Sequence, residues 1–292
     1  MSAIVDRYET FARDYARYWG PVLEETARRL LDDVDAAVAR AAGGPAGATR
    51  GSEEAPRILD LGSGTGVLAL AAAERWPQAR ILAADPASAM LEVAREQARA
   101  AGVADSQKLS FVVGEAERLP LADASIDVVV SSFVLQLVPD RAAALGETLR
   151  VLRPGGRLAY VTWLDRDSRK PFRPREEFDE AVLELGVEEP EYDEDEPPAG
   201  DVPSLRSAVR ELRGAGFRRV DAREEQLVYD WTLEAYLEYK LSYDERALMS
   251  LLTDEQRRRL EEQARNRLTG LTAEEFRWHA PVVFARGERP KA

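Results

Sequence analysis

A short apolar run that ends in a glycine-rich turn constrains this chain more than any other feature. Residues Arg57–Leu61 predict a buried strand, Gly62–Gly66 predict the turn, and Val67–Arg75 predict a helix. Because glycine lacks a Cβ, the backbone can turn sharply here and a ligand can approach it closely. The start of the following helix offers free amide donors and the positive end of a helix dipole.

The spacing of the glycines distinguishes this turn from two common nucleotide-binding loops. The spacing is G-x-G-x-G, whereas the dinucleotide fingerprint needs glycine at position 67, where the chain has Val67. The phosphate-binding loop needs Gly-Lys followed by Ser or Thr, and this turn lacks that sequence. The turn is therefore predicted to bind a nucleoside ligand, with little support for a phosphate.

Four further apolar runs follow, each separated from the next by a segment of helix length. They are Arg80–Asp85, Leu109–Gly114, Ser125–Ser132 and Gly156–Trp163. Alternating strands and helices predict an α/β fold with a doubly wound, mainly parallel sheet. Ligands of such sheets lie at the carboxyl ends of the strands, which is where the polar residues of these runs stand.

Asp85 is the first candidate for binding a ligand. It ends the second apolar run, 19 residues after Gly66. An acid about 20 residues beyond the glycine turn is typical of sites that bind a ribose. The two carboxylate oxygens of Asp85 match the two hydroxyl donors of a ribose diol.

The composition excludes several kinds of site and partner. The chain has no cysteine and a single histidine, His279, so disulfides, thiolate catalysis and a metal site are not expected. A net charge of −13 at pH 7 disfavours nucleic acid as a partner. No apolar run approaches the ~20 residues of a membrane span, and the first thirty residues lack the apolar segment of a signal peptide. A cytoplasmic protein that does not enter membranes is expected.

The ordered motifs of the chain resemble class I S-adenosylmethionine-dependent methyltransferases. The motifs are ILDLGSGTG from Ile58, the acid Asp85, GEAERLPLADASIDVVVSS from Gly114 and LRPGGRLAYVTW from Leu152. The chain is most similar to the small-molecule group that contains the ubiquinone/menaquinone-biosynthesis C-methyltransferases. The resemblance covers residues 55–165 strongly, and Tyr8–Tyr15 also resembles the leading helix of that group.

The resemblance implies a fold, a cofactor and an activity. The fold is a Rossmann-like, seven-stranded, mainly parallel sheet, with amino-terminal helices and a helical insertion as a cap. The cofactor is S-adenosyl-L-methionine, and the reaction is in-line methyl transfer to a small, partly apolar molecule. Two alternatives stay open: a protein that binds S-adenosylmethionine without methyl transfer, as a scaffold or for another reaction, and an NAD(P)-dependent oxidoreductase.

The resemblance also assigns residues to the cofactor. In the family, the acid before the turn holds the amino-acid end, the turn lines the methionine and ribose, and the loop after the fourth strand lies beside the sulfonium. The predicted cofactor-binding residues are Asp60, Gly62, Ser63, Gly64, Asp85, Pro86, Met90, Glu115, Ala116, Glu117, Ser132 and Phe133.

Some of these assignments have plain structural alternatives. Met90 is nearly as well explained by core packing, and Glu117 by a solvated charge at a helix start. The family usually has aspartate at position 115, where this chain has Glu115. The residues that would catalyse the transfer are unknown. Two candidates are Gln136, where related enzymes often have histidine, and His279, for which a packing or surface role is the alternative.

The sequence divides into three parts. Residues 1–50 predict amino-terminal helices that act as a lid, residues 51–165 the cofactor-binding core, and residues 166–292 the rest of the sheet. The last part includes an acidic loop at 187–203, expected to be mobile, and a helical insertion at 232–278. The substrate is expected between the amino-terminal helices and this insertion, because both carry aromatic residues.

Overall fold

The computed structural model describes residues 3–43, 55–103, 108–164, 171–187 and 200–291. Most of the acidic loop, for which mobility was predicted, lies outside the described residues, as residues 188–199. The chain forms two compact units. The first comprises Met1–Asp165, Asp195–Glu225 and Pro281–Ala292, and the second comprises Arg166–Glu194 and Gln226–Ala280.

Seven strands form one sheet. They are β1 Arg57–Leu61, β2 Arg80–Asp85, β3 Leu109–Val113, β4 Ile126–Ser132, β5 Leu152–Trp163, β6 Arg218–Asp230 and β7 Arg277–Glu288. The order across the sheet is β3-β2-β1-β4-β5-β7-β6. Strands β1 to β5 pair in parallel and β7 pairs antiparallel with β5, so the predicted fold class is confirmed.

The sheet reverses its winding direction between β1 and β4. From β1 the chain proceeds outwards through β2 and β3, then returns to β4 on the other side of β1. Both central strands are buried along almost their whole length, as their continuous apolar sequence requires. The carboxyl ends of β1 and β4 therefore frame a crevice at a topological switch point, where ligands of such sheets bind.

Eleven α-helices lie in the described residues. They are α1 Ala3–Asp14, α2 Gly20–Leu30, α3 Asp35–Ala41, α4 Val67–Arg75, α5 Ser88–Ala100, α6 Arg141–Val151, α7 Arg173–Leu185, α8 Leu205–Gly214, α9 Leu233–Tyr239, α10 Arg246–Leu251 and α11 Asp254–Leu268. Short π-helical segments cover Tyr15–Trp19 and Lys240–Asp244, and a 3-10 turn covers Leu31–Asp33.

Helix α7 was not predicted by the sequence analysis, which assigned no helix or strand to residues 166–186. Phe178, Ala181 and Val182 form a buried stripe at helical spacing, and Gly186 ends the helix in the left-handed conformation. Charged residues fill the other face of α7, so the apolar spacing is difficult to recognise in the sequence. Strand β7 begins at Arg277, so the exposed His279 lies within it.

The second unit has an aromatic core. Trp231, Tyr236 and Tyr239 are all buried, and their ring centroids lie 5.0–6.3 Å apart. Sequence reasoning placed these three rings at a substrate pocket, whereas in the structure they pack on one another. Helix α11 begins with a reciprocal capping box formed by Thr253 and Gln256.

Asp33 anchors the amino-terminal helices of the first unit. Its carboxylate is almost fully buried and accepts hydrogen bonds from Arg223 of β6, at 2.8 and 2.9 Å, and from Arg286 of β7, at 3.2 Å. Leu30 and Val34 on either side are also buried. The 3-10 turn is thus fixed to the sheet by apolar packing and by the ion pairs of a buried carboxylate with two partly exposed arginines.

We expect Asp33→Ala to destabilise the protein, because the buried carboxylate that joins Arg223 and Arg286 is lost. The expected loss in the free energy of unfolding is about 1–3 kcal/mol, since both arginines are more than a third exposed and each keeps a second acid as a partner. The neighbouring Asp32 pairs with Arg75 but is 65% exposed. Asp32→Ala is the matched control, with an expected loss below about 1 kcal/mol. Urea denaturation of both variants tests this, and equal losses would contradict the anchoring role of Asp33.

Candidate functional site

The loops at the carboxyl ends of β1 to β4 surround a cavity of about 820 Å³. Ten of the twelve predicted cofactor-binding residues line it: Gly62, Gly64, Asp85, Pro86, Met90, Glu115, Ala116, Glu117, Ser132 and Phe133. The other two, Asp60 and Ser63, line a small adjoining cavity of about 50 Å³ that shares Gly62, Gly64 and Ser132 with the first. The fold therefore brings the whole predicted set together.

Two glycines of the turn meet different requirements. A Cβ on Gly62 would lie 2.3 Å from a methyl carbon of Val134, so this position must be glycine for the turn to pack. Gly64 has a φ of 52°, and a Cβ there would meet nothing within 4 Å. Gly64 thus keeps a left-handed backbone conformation and leaves the turn open towards the cavity.

Asp85 connects the turn to the next helix. Its Oδ2 accepts a hydrogen bond from the Gly64 amide at 2.8 Å, and its Oδ1 accepts one from the Ala87 amide at 2.9 Å. Burial raises the pKa of Asp85 to about 6, although both amides oppose the shift. Each carboxylate oxygen can accept two hydrogen bonds, so Asp85 retains acceptor capacity towards the cavity.

Asp60 is the most deeply buried acid at the site. It is 1% exposed, and its Oδ2 has no hydrogen-bond partner among the described residues. Burial raises the pKa of Asp60 to about 8; the Ala69 amide opposes this shift and the charge of Asp85 adds to it. The hydroxyl of the adjacent Ser63 is also buried without a described partner. Buried polar atoms normally have partners, so this pair indicates a place for a ligand.

Helix α1 forms one side of the large cavity and is held by α5. Helix α5 has Ala87 at its N-cap, which has no side-chain acceptor. Glu9 of α1 supplies the acceptor, since its carboxylate takes hydrogen bonds from the Ser88 and Ala89 amides at 2.5 and 2.9 Å. Burial alone would raise the pKa of Glu9, but these amides outweigh it and lower the pKa.

Apolar packing completes the contact between α1 and α5. Met90 is 2% exposed and packs in a cluster with Ala12, Tyr8 and Tyr15 while also lining the cavity. Both interpretations of Met90 therefore apply, packing and cavity lining. Sequence reasoning missed Glu9, because a cap donated by a residue 79 positions away leaves no local pattern.

The three residues after β3 lie at the cavity with different exposure. Glu115 is exposed, Ala116 is buried and Glu117 is half-buried. The segment is a turn closed by a bridge between Glu115 and Arg118, and no helix starts there. Glu117 is therefore a turn residue at the cavity wall, not a charge at a helix start.

Phe133 is held in a strained conformation after β4. Its φ is 56°, a left-handed value that is unusual for a bulky residue. Its amide donates to the Val161 carbonyl at 2.8 Å, and its carbonyl accepts from Nε2 of Gln136 at 2.7 Å. Oε1 of Gln136 accepts from the Thr162 hydroxyl. Gln136 thus joins Phe133 to β5, and both ends of its amide are already bonded.

The raised pKa of Asp60 predicts how stability depends on pH. The folded chain holds a proton with a pKa of about 8, whereas the ordinary value is 3.8. The free energy of unfolding should fall as pH rises between about 4 and about 8, by up to ~1.4 kcal/mol per pH unit from this group. Asp85, with a pKa of about 6, contributes in the same direction at the acidic end of this range.

Asp60→Asn isolates the contribution of Asp60, because an amide does not titrate. From about pH 5 to about pH 8 the variant should gain stability steadily relative to the wild type. Urea denaturation at several pH values measures the difference. If the difference in the free energy of unfolding between the variant and the wild type stays constant across this pH range, Asp60 is ionised in the folded protein.

Comparison with known proteins agrees with this geometry. Residues 59–160 match the family model described as a methyltransferase domain. Over 110 residues the chain is 46% identical to demethylmenaquinone methyltransferase of Thermus thermophilus, an alignment that covers 37% of this chain and 48% of that protein. For the first three curated relatives the chain spans half of their length or less.

A longer alignment and a structural match extend this agreement. The chain is 33% identical over 186 residues to malonyl-[acyl-carrier protein] O-methyltransferase of Geobacter sulfurreducens, which covers 56% of this chain and 67% of that protein. A putative sarcosine dimethylglycine methyltransferase from Galdieria sulphuraria shares the fold, with a TM-score of 0.54, 15% identity and coverage of 96% and 99%. No described helix is long and apolar enough to cross a membrane.

The family match and the longer alignment agree on one family. The chain belongs to the class I S-adenosylmethionine-dependent methyltransferases, the family whose cofactor is S-adenosylmethionine.

Proposed function

We propose that this protein is an enzyme that binds S-adenosylmethionine in the 820 Å³ cavity and transfers its methyl group to a small molecule. The observation that carries the proposal is the pair of buried carboxylates, Asp60 and Asp85, on either side of the glycine turn. One has an unpartnered oxygen and the other has unused acceptor capacity, and the family match supplies a ligand with both an amino group and a ribose diol.

Asp85 is assigned to the ribose. Its two amide contacts fix the carboxylate in one orientation, so its remaining acceptor positions are already directed when a diol arrives. The Gly64 and Ala87 amides each use one acceptor position of Asp85, and its other acceptor positions are left for a ligand. The walls beside it, Pro86 and Met90, are apolar and suit a purine face.

Asp60 and Ser63 are assigned to the amino-acid end of the cofactor. A protonated amine near Oδ2 of Asp60 would satisfy the atom that has no described partner. It would also favour the ionised carboxylate, because an opposite charge lowers a pKa that burial has raised. Glu115, Ala116 and Glu117 are assigned to the adenine edge, where a carboxylate can accept from the exocyclic amine.

The reaction needs alignment and exclusion of water more than acid–base chemistry. When bound, the cofactor supplies a methyl group on a positively charged sulfur, which is activated for in-line displacement. Ser132 and Phe133 line the cavity, and Phe133 is held by its hydrogen bonds to Val161 and Gln136. A rigid aromatic ring there keeps water from the reacting centre and limits the direction of approach. We assign Gln136 to this positioning role, and we assign no reacting role to His279.

The acceptor is proposed to be a small molecule. A net charge of −13 disfavours nucleic acid, and the described lining has few polar groups. A protein that binds the cofactor without methyl transfer would keep the same carboxylates, so turnover on an acceptor panel is needed to separate the two. Titration with NADH tests the oxidoreductase alternative, which the glycine spacing and the family match disfavour.

Asp85→Ala should weaken the binding of S-adenosylhomocysteine. Loss of the carboxylate leaves two ribose hydroxyls unpaired, at a cost of about 1–3 kcal/mol in binding free energy. Asp123→Ala is the control, because that carboxylate is 78% exposed on the surface. Isothermal titration calorimetry measures both affinities, and unchanged affinity in Asp85→Ala would refute the ribose assignment.

Binding of S-adenosylhomocysteine near pH 7 should also release protons. Asp60, with a pKa of about 8, is mostly protonated at this pH and must ionise to pair with the amino group. We expect release of about one proton per molecule bound in the wild type and almost none in Asp60→Asn. Calorimetry in two buffers with different ionisation enthalpies measures this number. Equal release by both proteins would place the amino group elsewhere.

A further inference from the structure

The turn assigned to the adenine edge belongs to a long connection between β3 and β4. All of residues 114–125 are described, and apart from a single bridge between Glu115 and Arg118 they form no helix or strand. Residues 115–117 of this connection line the 820 Å³ cavity. Because the connection lacks the regular hydrogen bonds of a helix or sheet, contacts from other segments must fix its conformation.

The first end of the connection is held at β2. The Gly114 amide donates a hydrogen bond to the carbonyl of Asp85 at 3.1 Å. A Cβ on Gly114 would lie 2.7 Å from Cδ of Pro120, so the proline ring packs directly on this glycine. The connection therefore folds back on itself, and the residues that line the cavity lie between two neighbouring points.

Two side chains of α6, Glu147 and Arg150, hold the far side of the turn. Nη2 of Arg150 donates to the Leu119 carbonyl at 3.1 Å, and Nη1 donates to the Leu121 carbonyl at 2.8 Å. Oε2 of Glu147 accepts a hydrogen bond from the Leu119 amide at 2.9 Å. Both backbone polar groups of Leu119 are thus bonded to α6, and its side chain is buried in the core.

Glu147 and Arg150 also fix each other. Nε and Nη2 of Arg150 donate to Oε1 and Oε2 of Glu147, both at 2.8 Å, in a fork that orients the two side chains. The hydrogen bonds from Arg150 lower the pKa of Glu147, although burial opposes the shift, so this carboxylate is ionised at neutral pH. We call this pair the α6 clamp. Neither residue is among the described residues that line the 820 Å³ cavity.

We propose that Glu147 and Arg150 are positioning residues that set the selectivity of the site for adenine. The proposal rests on the proposed function, because it takes residues 115–117 as the contact with the adenine edge. The α6 clamp acts through Leu119 and Leu121 and keeps the turn in one conformation. A base with a carbonyl in place of the exocyclic amine would set an acceptor against acceptors, and a fixed turn cannot rearrange to pair with it.

Two ligands that differ only in the base test this selectivity: S-adenosylhomocysteine and S-inosylhomocysteine, in which a carbonyl replaces the exocyclic amine. Calorimetry measures both affinities for each protein, and their ratio is the selectivity. We expect the wild type to prefer the adenine compound at least about tenfold. Arg150→Gln should lower the ratio to about threefold or less, because a released turn adapts to both bases. Asp85→Ala should weaken both ligands and leave the ratio unchanged.

Arg150→Lys separates the charge of the clamp from its geometry. Lysine keeps a positive charge beside Glu147 but lacks the planar fork that reaches two carbonyls as well, so the ratio should fall in this variant too. If neither Arg150 variant folds, Glu147→Ala is measured instead; it removes the acceptor of the Leu119 amide and should also lower the ratio.

Arg267→Gln is the matched control. The side chain of Arg267 is 29% exposed, against 30% for Arg150, and it also pairs with two acids, Glu177 and Glu184. These three residues belong to the second unit, whereas the connection and α6 belong to the first. Arg267→Gln should therefore keep the selectivity of the wild type, even where its stability falls.

Several results would overturn the proposal. These are a wild type without preference for the adenine compound, a ratio that stays within about twofold of the wild type in the clamp variants, or an equal fall in Arg267→Gln. A loss of affinity by the same factor for both ligands would give the clamp a structural role only. If the wild type binds S-adenosylhomocysteine but the ratio does not respond, only the positioning role fails; if it does not bind, the proposed function fails as well.

Discussion

The site depends on backbone amides at the junctions between strands and helices, and on the carboxylates that pair with them. Asp85 bonds the Gly64 amide of one junction and the Ala87 amide of the next, so a single side chain sets the distance between two loops. Glu9 bonds the two amides that follow, at the start of α5, and thereby fixes α1 against the same cavity. The Ala87, Ser88 and Ala89 amides would otherwise be unpaired donors at the start of α5.

Burial of these acids also gives the site its electrostatic character. Asp60 is removed from water and lacks a described partner for one oxygen, an arrangement that costs stability in the free protein. Proteins keep such groups where a ligand later compensates them, which explains why an acid occupies a position that an apolar residue could fill. The net charge of −13 adds a negative field around the whole protein.

Much of the fold and the cofactor site could be predicted from the sequence because it is encoded locally. The run from Ile58 to Gly66 contains the pattern of a strand and its turn in nine consecutive residues. The number of residues from this turn to Asp85 follows from the length of one helix and one strand. The parallel sheet then brings these segments to one edge without further information. Helix α7 was not predicted because its buried stripe of three apolar residues is surrounded by charged residues in the sequence.

Features that depend on distant contacts could not be predicted. The cap from Glu9 to α5 and the anchor from Asp33 to β6 and β7 join residues that are far apart in the sequence. Phe133, with its left-handed φ, donates its amide to the carbonyl of Val161 in β5 and accepts a hydrogen bond from Gln136 at its own carbonyl. Trp231 and Tyr236 were assigned to a substrate pocket from their aromatic character alone, and the structure adds that they are buried and in contact with each other.

A crystal structure of the complex with S-adenosylhomocysteine would test the central assignment most directly. The account predicts that the ribose hydroxyls lie within hydrogen-bond distance of Asp85 and that the amino group of the ligand contacts Oδ2 of Asp60. It also predicts that the amides of Gly64 and Ala87 still donate to Asp85 in the complex. A ligand bound elsewhere, or an amino group directed away from Asp60, would contradict the account.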